Sequence, residues 1–195
     1  MMNCILAGVG GQGTVLASKL IAQAAMDKGL FARTAETIGM AQRGGCVVSH
    51  LRVGGEVHSP MVPQGCAHLL IGFEPSEAVR CLTYLRPDGQ VVVSKRVVKP
   101  ITASLSGSPY DGREMLEYLK SHVQKLILVD SEEICRQAGS AKVLNVSLLG
   151  AAVASGALGI TLKEMEATIR KRIPERFVSM NLKALELGAQ AYVQA

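Results

Sequence analysis

Cys4-Ile-Leu-Ala-Gly8-Val-Gly10-Gly11-Gln12-Gly13-Thr14 is the stretch that decides the fold. A short apolar run enters a cluster of glycines, and an amphipathic segment follows at once. The spacing Gly8-x-Gly10-x-x-Gly13 is that of a strand–turn–helix that holds a phosphate. On that reading Gly8 permits the tight turn, Gly10 allows close backbone approach, and Gly13 lets the helix pack on the strand. Free N–H groups at the helix start then favour an anion. The alternative is a βα turn whose glycines serve geometry alone.

Working outward, the first 130 residues alternate between strand and helix patterns. Met2–Val9 is a buried strand, and Thr14–Lys28 is a helix with apolar Val15, Leu16, Leu20, Ile21 and Ala24 at helical spacing. Phe31–Glu36 and Cys46–Val53 are strands, and Gly54-Gly55 turns the latter toward Glu56–Ser59 as an antiparallel hairpin. In Cys46–Val53 the alternation of His50 and Arg52 with Leu51 and Val53 gives a polar face. Leu69–Phe73 is a strand, and Glu74-Pro75 opens a helix over Glu77–Leu85. Pro87-Asp88-Gly89 reads as a turn before a strand over Gln90–Val98, and Pro100–Gly112 as a loop. Helix Glu114–Val123, strand Leu126–Val129 and helix Ser131–Gln137 follow. Three helices close the chain: Val143–Leu158, Leu162–Ile173 and Glu175–Tyr192, the second with capping-box spacing at Thr161-x-x-Glu164. The expected fold is α/β: a Rossmann-like, mostly parallel sheet with an added antiparallel hairpin and C-terminal helices, in one domain over 1–195.

Composition sets outer limits. The chain has 195 residues, 48% of them hydrophobic, with a formal net charge of +5. No run of 18 apolar residues is uninterrupted, so no membrane span is expected. The N-terminus lacks a basic region ahead of its apolar run, which argues for a cytoplasmic chain. Aromatic residues make up 4%, with no basic–aromatic stacking motif, so nucleic acid is not an expected partner. Arg170-Lys171-Arg172 with Arg176 reads as a solvated helix end. The five cysteines (4, 46, 66, 81 and 135) contain no Cys-x-x-Cys pair and no iron–sulfur ligand run. Neither Cys46 with His50 nor Cys66 with His68 has the spacing of a standard zinc site. No metal-binding and no catalytic residue is assigned.

A second glycine cluster adds a cation. Gly39-Met-Ala-Gln42-Arg43-Gly44-Gly45 lies between two strand patterns, and Arg43 suits a phosphate or carboxylate. The candidate site is therefore Gly8, Gly10, Gly11, Gln12, Gly13, Arg43, Gly44 and Gly45. A nicotinamide site is the rival reading. It wants an acid at the end of the second strand, and Glu36 has about that spacing. Arg43 has its own alternative, a salt bridge within the domain or at a subunit interface. Asn145 and Asn181 are mediocre helix formers in helical surroundings. Either they bond a neighbouring loop or subunit, or Asn145 is a cap and Asn181 is exposed.

Gly8-Val-Gly-Gly-Gln-Gly13, Gln42-Arg43-Gly44-Gly45 and Lys142-Val-Leu-Asn145-Val-Ser-Leu-Leu-Gly150 together resemble the gamma-type subunits or domains of 2-oxoacid:ferredoxin oxidoreductases. The similarity extends to Asn181-Leu-Lys-Ala-Leu-Glu-Leu-Gly188. Thr34–Gly45 with Ile71-Gly-Phe-Glu-Pro75 is most similar to the small subunits of the indolepyruvate type. The resemblance implies a small, non-redox subunit that supports oxidative decarboxylation to an acyl-coenzyme A. It also implies a large partner subunit carrying thiamine diphosphate and iron–sulfur clusters, with ferredoxin reached through the complex. In this chain it leaves binding and assembly: the candidate ligands of the glycine loop are the phosphates of coenzyme A or part of the partner's cofactor region, and a subunit interface is the alternative. Pyruvate- or 2-oxoglutarate-type subunits, and a nucleotide-binding module without enzymatic role, are the alternatives. The apolar composition adds an expectation that the isolated chain self-associates. Two positions depart from the family pattern: His68 stands where an aspartate is expected, and Cys46 where serine is common.

Overall fold

The computed structural model describes residues 1–38, 45–99 and 110–193. Arg43, Gly44 and most of the Pro100–Gly112 segment lie outside the described residues. Strands β1 (Met2–Val9), β2 (Phe31–Ile38), β3 (Cys46–Gly54), β4 (Ala67–Gly72), β5 (Leu85–Ser94) and β6 (Lys125–Val129) form one sheet in the order β2-β3-β1-β4-β5-β6. Helices α1 (Thr14–Asp27), α2 (Pro75–Arg80), α3 (Arg113–His122), α4 (Ser131–Ala138), α5 (Leu144–Ala154), α6 (Leu162–Arg172) and α7 (Glu175–Val193) cover it. Strands β1, β4, β5 and β6 run parallel, and β3 is antiparallel to both of its neighbours. This is the expected α/β class.

Alternation along β1 divides the core in two. Cys4 and Leu6 join one cluster with α1, α4, α5, α6 and α7. Ile5 and Ala7 join the other, with Ala78 and Cys81 around α2 and Leu119 of α3. The closing helices thus stack on one face of the sheet. Every residue of α5 from Leu144 to Val153 is buried, the polar Asn145 and Ser147 included, so this helix is covered all round and lies sandwiched between sheet and α7.

The antiparallel element differs from the expected hairpin. Glu56–Ser59 form no strand; instead β3 inserts between β2 and β1. Val57 is buried there and its carbonyl accepts from Arg33 Nε. The chain pairs β3 with the strand before it and with the more distant β1 rather than with the segment after it, a choice that the Gly54-Gly55 turn signal does not encode. The polar face expected on β3 is also partly buried: His50 is 2% exposed, and its Nδ1 accepts the Val62 N–H at 3.2 Å. Pro87-Asp88-Gly89 do not separate two elements. They bulge within β5, where the pairing jumps from Ala67–Leu85 to Leu69–Gln90. Strand β5 ends at Ser94 rather than Val98, and the helix begun at Pro75 stops at Arg80 before a short 3-10 turn, Leu82–Tyr84. Likewise, a 3-10 turn over Ala141–Val143 precedes α5, which ends at Ala154 rather than Leu158.

Two helix starts follow their sequence signals. Glu74 caps α2, its Oε2 accepting from Ser76 N–H at 2.7 Å and Glu77 N–H at 3.1 Å. At α6, Thr161 Oγ1 accepts from Glu164 N–H and the Glu164 carboxylate accepts from Thr161 N–H, a complete capping box.

Candidate functional site

The glycine loop sits at the carboxyl end of β1, beside the β1–β4 boundary. Helix α1 leaves β1 over one face of the sheet, whereas α2 leaves β4 over the other. Such a divergence opens a crevice outside the strand ends. A crevice of about 390 Å³ lies against the loop, lined by Val9, Gly10, Gly11, Gln12 and Gly13 and then by Arg96, Lys142 and Asn145 from elsewhere in the chain.

Each loop glycine has its own physical task. Gly11 (φ +97°) and Gly13 (φ +81°) occupy the left-handed region that favours glycine. Gly8, by contrast, is a close-packing position: a Cβ there would stand 2.7 Å from Phe73 Cβ and 2.7 Å from Gln12 Oε1. The tight-turn role expected of Gly8 therefore falls to Gly11 and Gly13. Gly10 N–H donates to the Gly45 carbonyl at 2.9 Å, so the structure joins two of the sequence clusters directly. Gln12 acts on the loop itself. Its Oε1 accepts from Val9 N–H at 2.8 Å, and its Nε2 donates to the Phe73 carbonyl at 3.0 Å, tying the ends of β1 and β4 together. Its N–H donates back to the Val9 carbonyl at 3.2 Å.

What remains for a ligand is the start of α1. Gly13 caps that helix without any side-chain hydrogen bond, and no acid stands in the first turn. Among the described residues, no acceptor takes the N–H of Gly11, Gly13 or Thr14. These donors carry the positive end of the helix dipole.

Two cations face them. Arg96 lies just past β5, at a strand's carboxyl end. Its backbone N–H donates to Ser94 Oγ at 2.9 Å, and Ser94 Oγ is itself 2.6 Å from Ser131 Oγ in a buried pair. The Arg96 guanidinium is 3.5 Å from Glu132 on α4, an exposed pairing that a ligand anion would compete against. Lys142 sits on the 3-10 turn before α5, which Ser140 opens by accepting the Lys142 N–H at 3.2 Å. Asn145 is buried on α5 and donates to the Gly13 carbonyl at 3.4 Å, so it holds the loop from below. This is the loop-bonding reading of Asn145. Asn181 is not exposed: it is 93% buried, at 7% relative exposure.

Sequence reasoning missed Arg96 and Lys142 as site residues. Lys142 was visible inside the motif that ends at Gly150, but it carried no chemical label. Arg96 follows the valine run of β5 at the end where doubly wound sheets gather ligands, and that position was its only signal.

The nicotinamide reading loses its geometry. Because β3 lies between β1 and β2, Glu36 sits two strand spacings from β1, about 10 Å rather than about 5 Å. Ser18 Oγ reaches the Glu36 carboxylate from α1 at 3.4 Å. Cys46 is no reactive thiolate: burial, with the Glu77 carboxylate beside it, pushes its thiol up to about 11. Among the described residues no three His, Cys, Asp or Glu side chains converge as a metal site.

Comparison with known proteins places the chain in a family. The model of the "Pyruvate ferredoxin/flavodoxin oxidoreductase" family matches residues 3–191. A subunit of Archaeoglobus fulgidus named indolepyruvate oxidoreductase subunit IorB is 36% identical, over 96% of this chain and 93% of that subunit. The fold is that of a keto/oxoacid ferredoxin oxidoreductase gamma subunit from Geobacter sulfurreducens, with TM-score 0.72 at 22% identity over the whole of both chains. It recurs with TM-score 0.72 at 17% identity in 2-oxoglutarate:ferredoxin oxidoreductase from Magnetococcus marinus, solved with 2-oxoglutarate, coenzyme A and succinyl-CoA bound, where this chain spans 31% of that one. From residue 3 to residue 191, then, this chain belongs to the pyruvate ferredoxin/flavodoxin oxidoreductase family, as a small subunit of the 2-oxoacid:ferredoxin oxidoreductases.

Proposed function

We propose that this chain is the small subunit of an indolepyruvate-type 2-oxoacid:ferredoxin oxidoreductase, acting as one domain in the cytoplasm. Full-length similarity to the Archaeoglobus fulgidus subunit supports the indolepyruvate type. Pyruvate and 2-oxoglutarate types are the alternatives. The chain supplies binding and assembly. Decarboxylation on thiamine diphosphate and electron passage through iron–sulfur clusters to ferredoxin belong to the large partner subunit.

One observation carries the ligand assignment: the uncapped start of α1, Arg96 and Lys142 converge on a single crevice. A phosphate there meets backbone donors and two cations, which suits coenzyme A as the acyl acceptor. In this reading Gly11 and Gly13 supply backbone N–H groups, Lys142 and Arg96 supply charge, and Gln12 and Asn145 hold the loop in shape. Gly10 and Gly45 fix the approach of the second glycine cluster, and Arg43 and Gly44 border it in sequence.

The test is reconstitution with the large subunit while coenzyme A is varied. Lys142→Ala is expected to raise the coenzyme A requirement at unchanged assembly. Lost assembly with normal coenzyme A dependence in the remaining complex would make the crevice a subunit interface instead. Self-association of the isolated chain is part of the same proposal. Met1 and Phe31 are 62% and 63% exposed, and both border Gly54 at one end of the sheet.

A further inference from the structure

The sheet has two edges, and they are finished differently. Strand β6 is short, Lys125–Val129, and a lysine opens it. Strand β2 runs over 8 residues, paired with β3 residue for residue, with no lysine, proline or bulge to blunt it. Alternation along the antiparallel ladder fixes which of its backbone groups are free. Gly10 N–H donates to the Gly45 carbonyl, and the same register sets Gly8 against Val47. The odd residues of β3 from Val47 to Val53 therefore turn their backbone groups toward β1. The even ones turn toward β2, where they meet Phe31, Arg33, Ala35 and Thr37. That leaves the N–H and C=O of Ala32, Thr34, Glu36 and Ile38 pointing away from the sheet. Among the described residues, no backbone group outside the sheet takes those of Ala32, Thr34 or Glu36.

We propose that this edge pairs with β2 of a second copy, antiparallel, about a two-fold axis at Ala35, so that one sheet runs through both copies. This rests on the self-association proposed above and gives it a surface. The free groups fix the axis, because only a register that sets outward residue against outward residue forms a ladder. With the axis at Ala35, Ala32 meets Ile38 and Thr34 meets Glu36, and every outward residue is paired. An axis at Thr34 would leave Ile38 unpaired, and one at Glu36 would set carboxylate against carboxylate. At Ala35 the facing side chains are two methyl groups, and Arg33 stands opposite Thr37, so no like charges oppose each other. The charged side chains are already turned to the two faces of the sheet. Ser18 of α1 reaches Glu36 on one, and Arg33 donates to the Val57 carbonyl on the other. A foreign strand would have to supply this match, whereas a second copy brings it by symmetry.

Sedimentation of the full chain tests this, with Ala35→Lys and Ala35→Glu as variants. The native chain is expected to form a dimer. Each variant alone sets like charges opposite each other at the axis and is expected to dimerise about fivefold more weakly, whereas the two variants mixed are expected to bind each other about tenfold more tightly than either binds itself. A native chain that stays monomeric overturns both this pairing and the self-association it rests on. A native dimer that neither variant weakens, or a mixture no tighter than its components, overturns the β2 edge alone. If the variants fail to fold, amide exchange of the native chain decides. The N–H groups of Thr34 and Glu36 are expected to exchange about tenfold more slowly in the dimer than at dilution, while those of Arg33 and Ala35 are protected by β3 at both concentrations. Exchange at Thr34 that is independent of concentration overturns the pairing. So does protection of Thr34 that appears only when the large subunit is added, which would give the edge to that partner.

Discussion

Two regions of this molecule are rich in glycine, and they use it in opposite ways. In the loop after β1, Gly11 has open space around the position of its missing Cβ, and only its φ of +97° calls for glycine. Where α5 crosses α7, neither glycine has an unusual φ, yet the two backbones meet across them. A Cβ on Gly150 would stand 2.1 Å from the Leu185 carbonyl oxygen, and one on Gly188 would stand 1.9 Å from that of Ser147. At Gly11 the loop needs glycine for its backbone conformation. The crossing needs it because a methyl group there would hold apart two helices that bury each other. The glycines that draw the eye in sequence are thus not those under the hardest steric constraint.

That contrast makes its strongest prediction at the crossing. Gly188→Ala is expected to cost about 3 kcal/mol or somewhat more, the upper range for overpacking against atoms that cannot move aside. A denaturant midpoint measures it, and a change under 1 kcal/mol would show that α7 slides freely on α5. In the crevice, Lys142→Ala is expected to weaken an anionic ligand by about 1.5–3 kcal/mol, toward the lower end because the side chain is solvent-exposed, while leaving the midpoint nearly unchanged. Gly11→Ala is expected to cost about 1 kcal/mol of stability through backbone strain alone. A loss as large as that of Gly188→Ala would refute the contrast between the two regions.

Smaller effects sharpen the crevice. Glu132→Gln removes the carboxylate 3.5 Å from Arg96 and is expected to tighten anion binding a few-fold, within the range of an exposed ion pair. Titration of coenzyme A into the assembled complex reads this directly, and an unchanged affinity would mean that Arg96 already faces the ligand. The smallest effect belongs to the Thr161–Glu164 cap. Hydrogen bonds from Thr161 and from Lys28 hold the Glu164 carboxyl below its ordinary value. Its stabilising part is therefore present above the unfolded value and is lost as pH falls through the folded one. The difference in melting temperature between the native chain and Glu164→Gln is expected to shrink as the medium is acidified. A gap that stayed constant would mean that the cap does not depend on charge.

Much of the local structure was legible because its causes are local. The apolar run into Gly8–Gly13, the Glu74-Pro75 start of α2 and the Thr161–Glu164 box each act within a few residues, and each helix they open starts within two residues of the expected position. The errors share a different origin. Gly54-Gly55 pointed to a hairpin with Glu56–Ser59, but β3 found its partners in β1 and β2, chosen by burial over the whole sheet. Pro87-Asp88-Gly89 had the chemistry of a turn, yet pairing with β4 on both sides carried the strand past it as a bulge.

The sequence by itself determined the α/β class, the strand–turn–helix at the N-terminus with its glycine loop, and the family, since all of these are written in short-range patterns. Only the tertiary structure decided that β3 separates Glu36 from β1, that Gln12 and Asn145 spend their amides holding the loop, and that Arg96 and Lys142 supply the crevice's charge. Those residues lie about 80 to 130 positions from the loop they face. Their meeting depends on how the strands order themselves and on how closely α5 and α7 pack, and no local pattern records either.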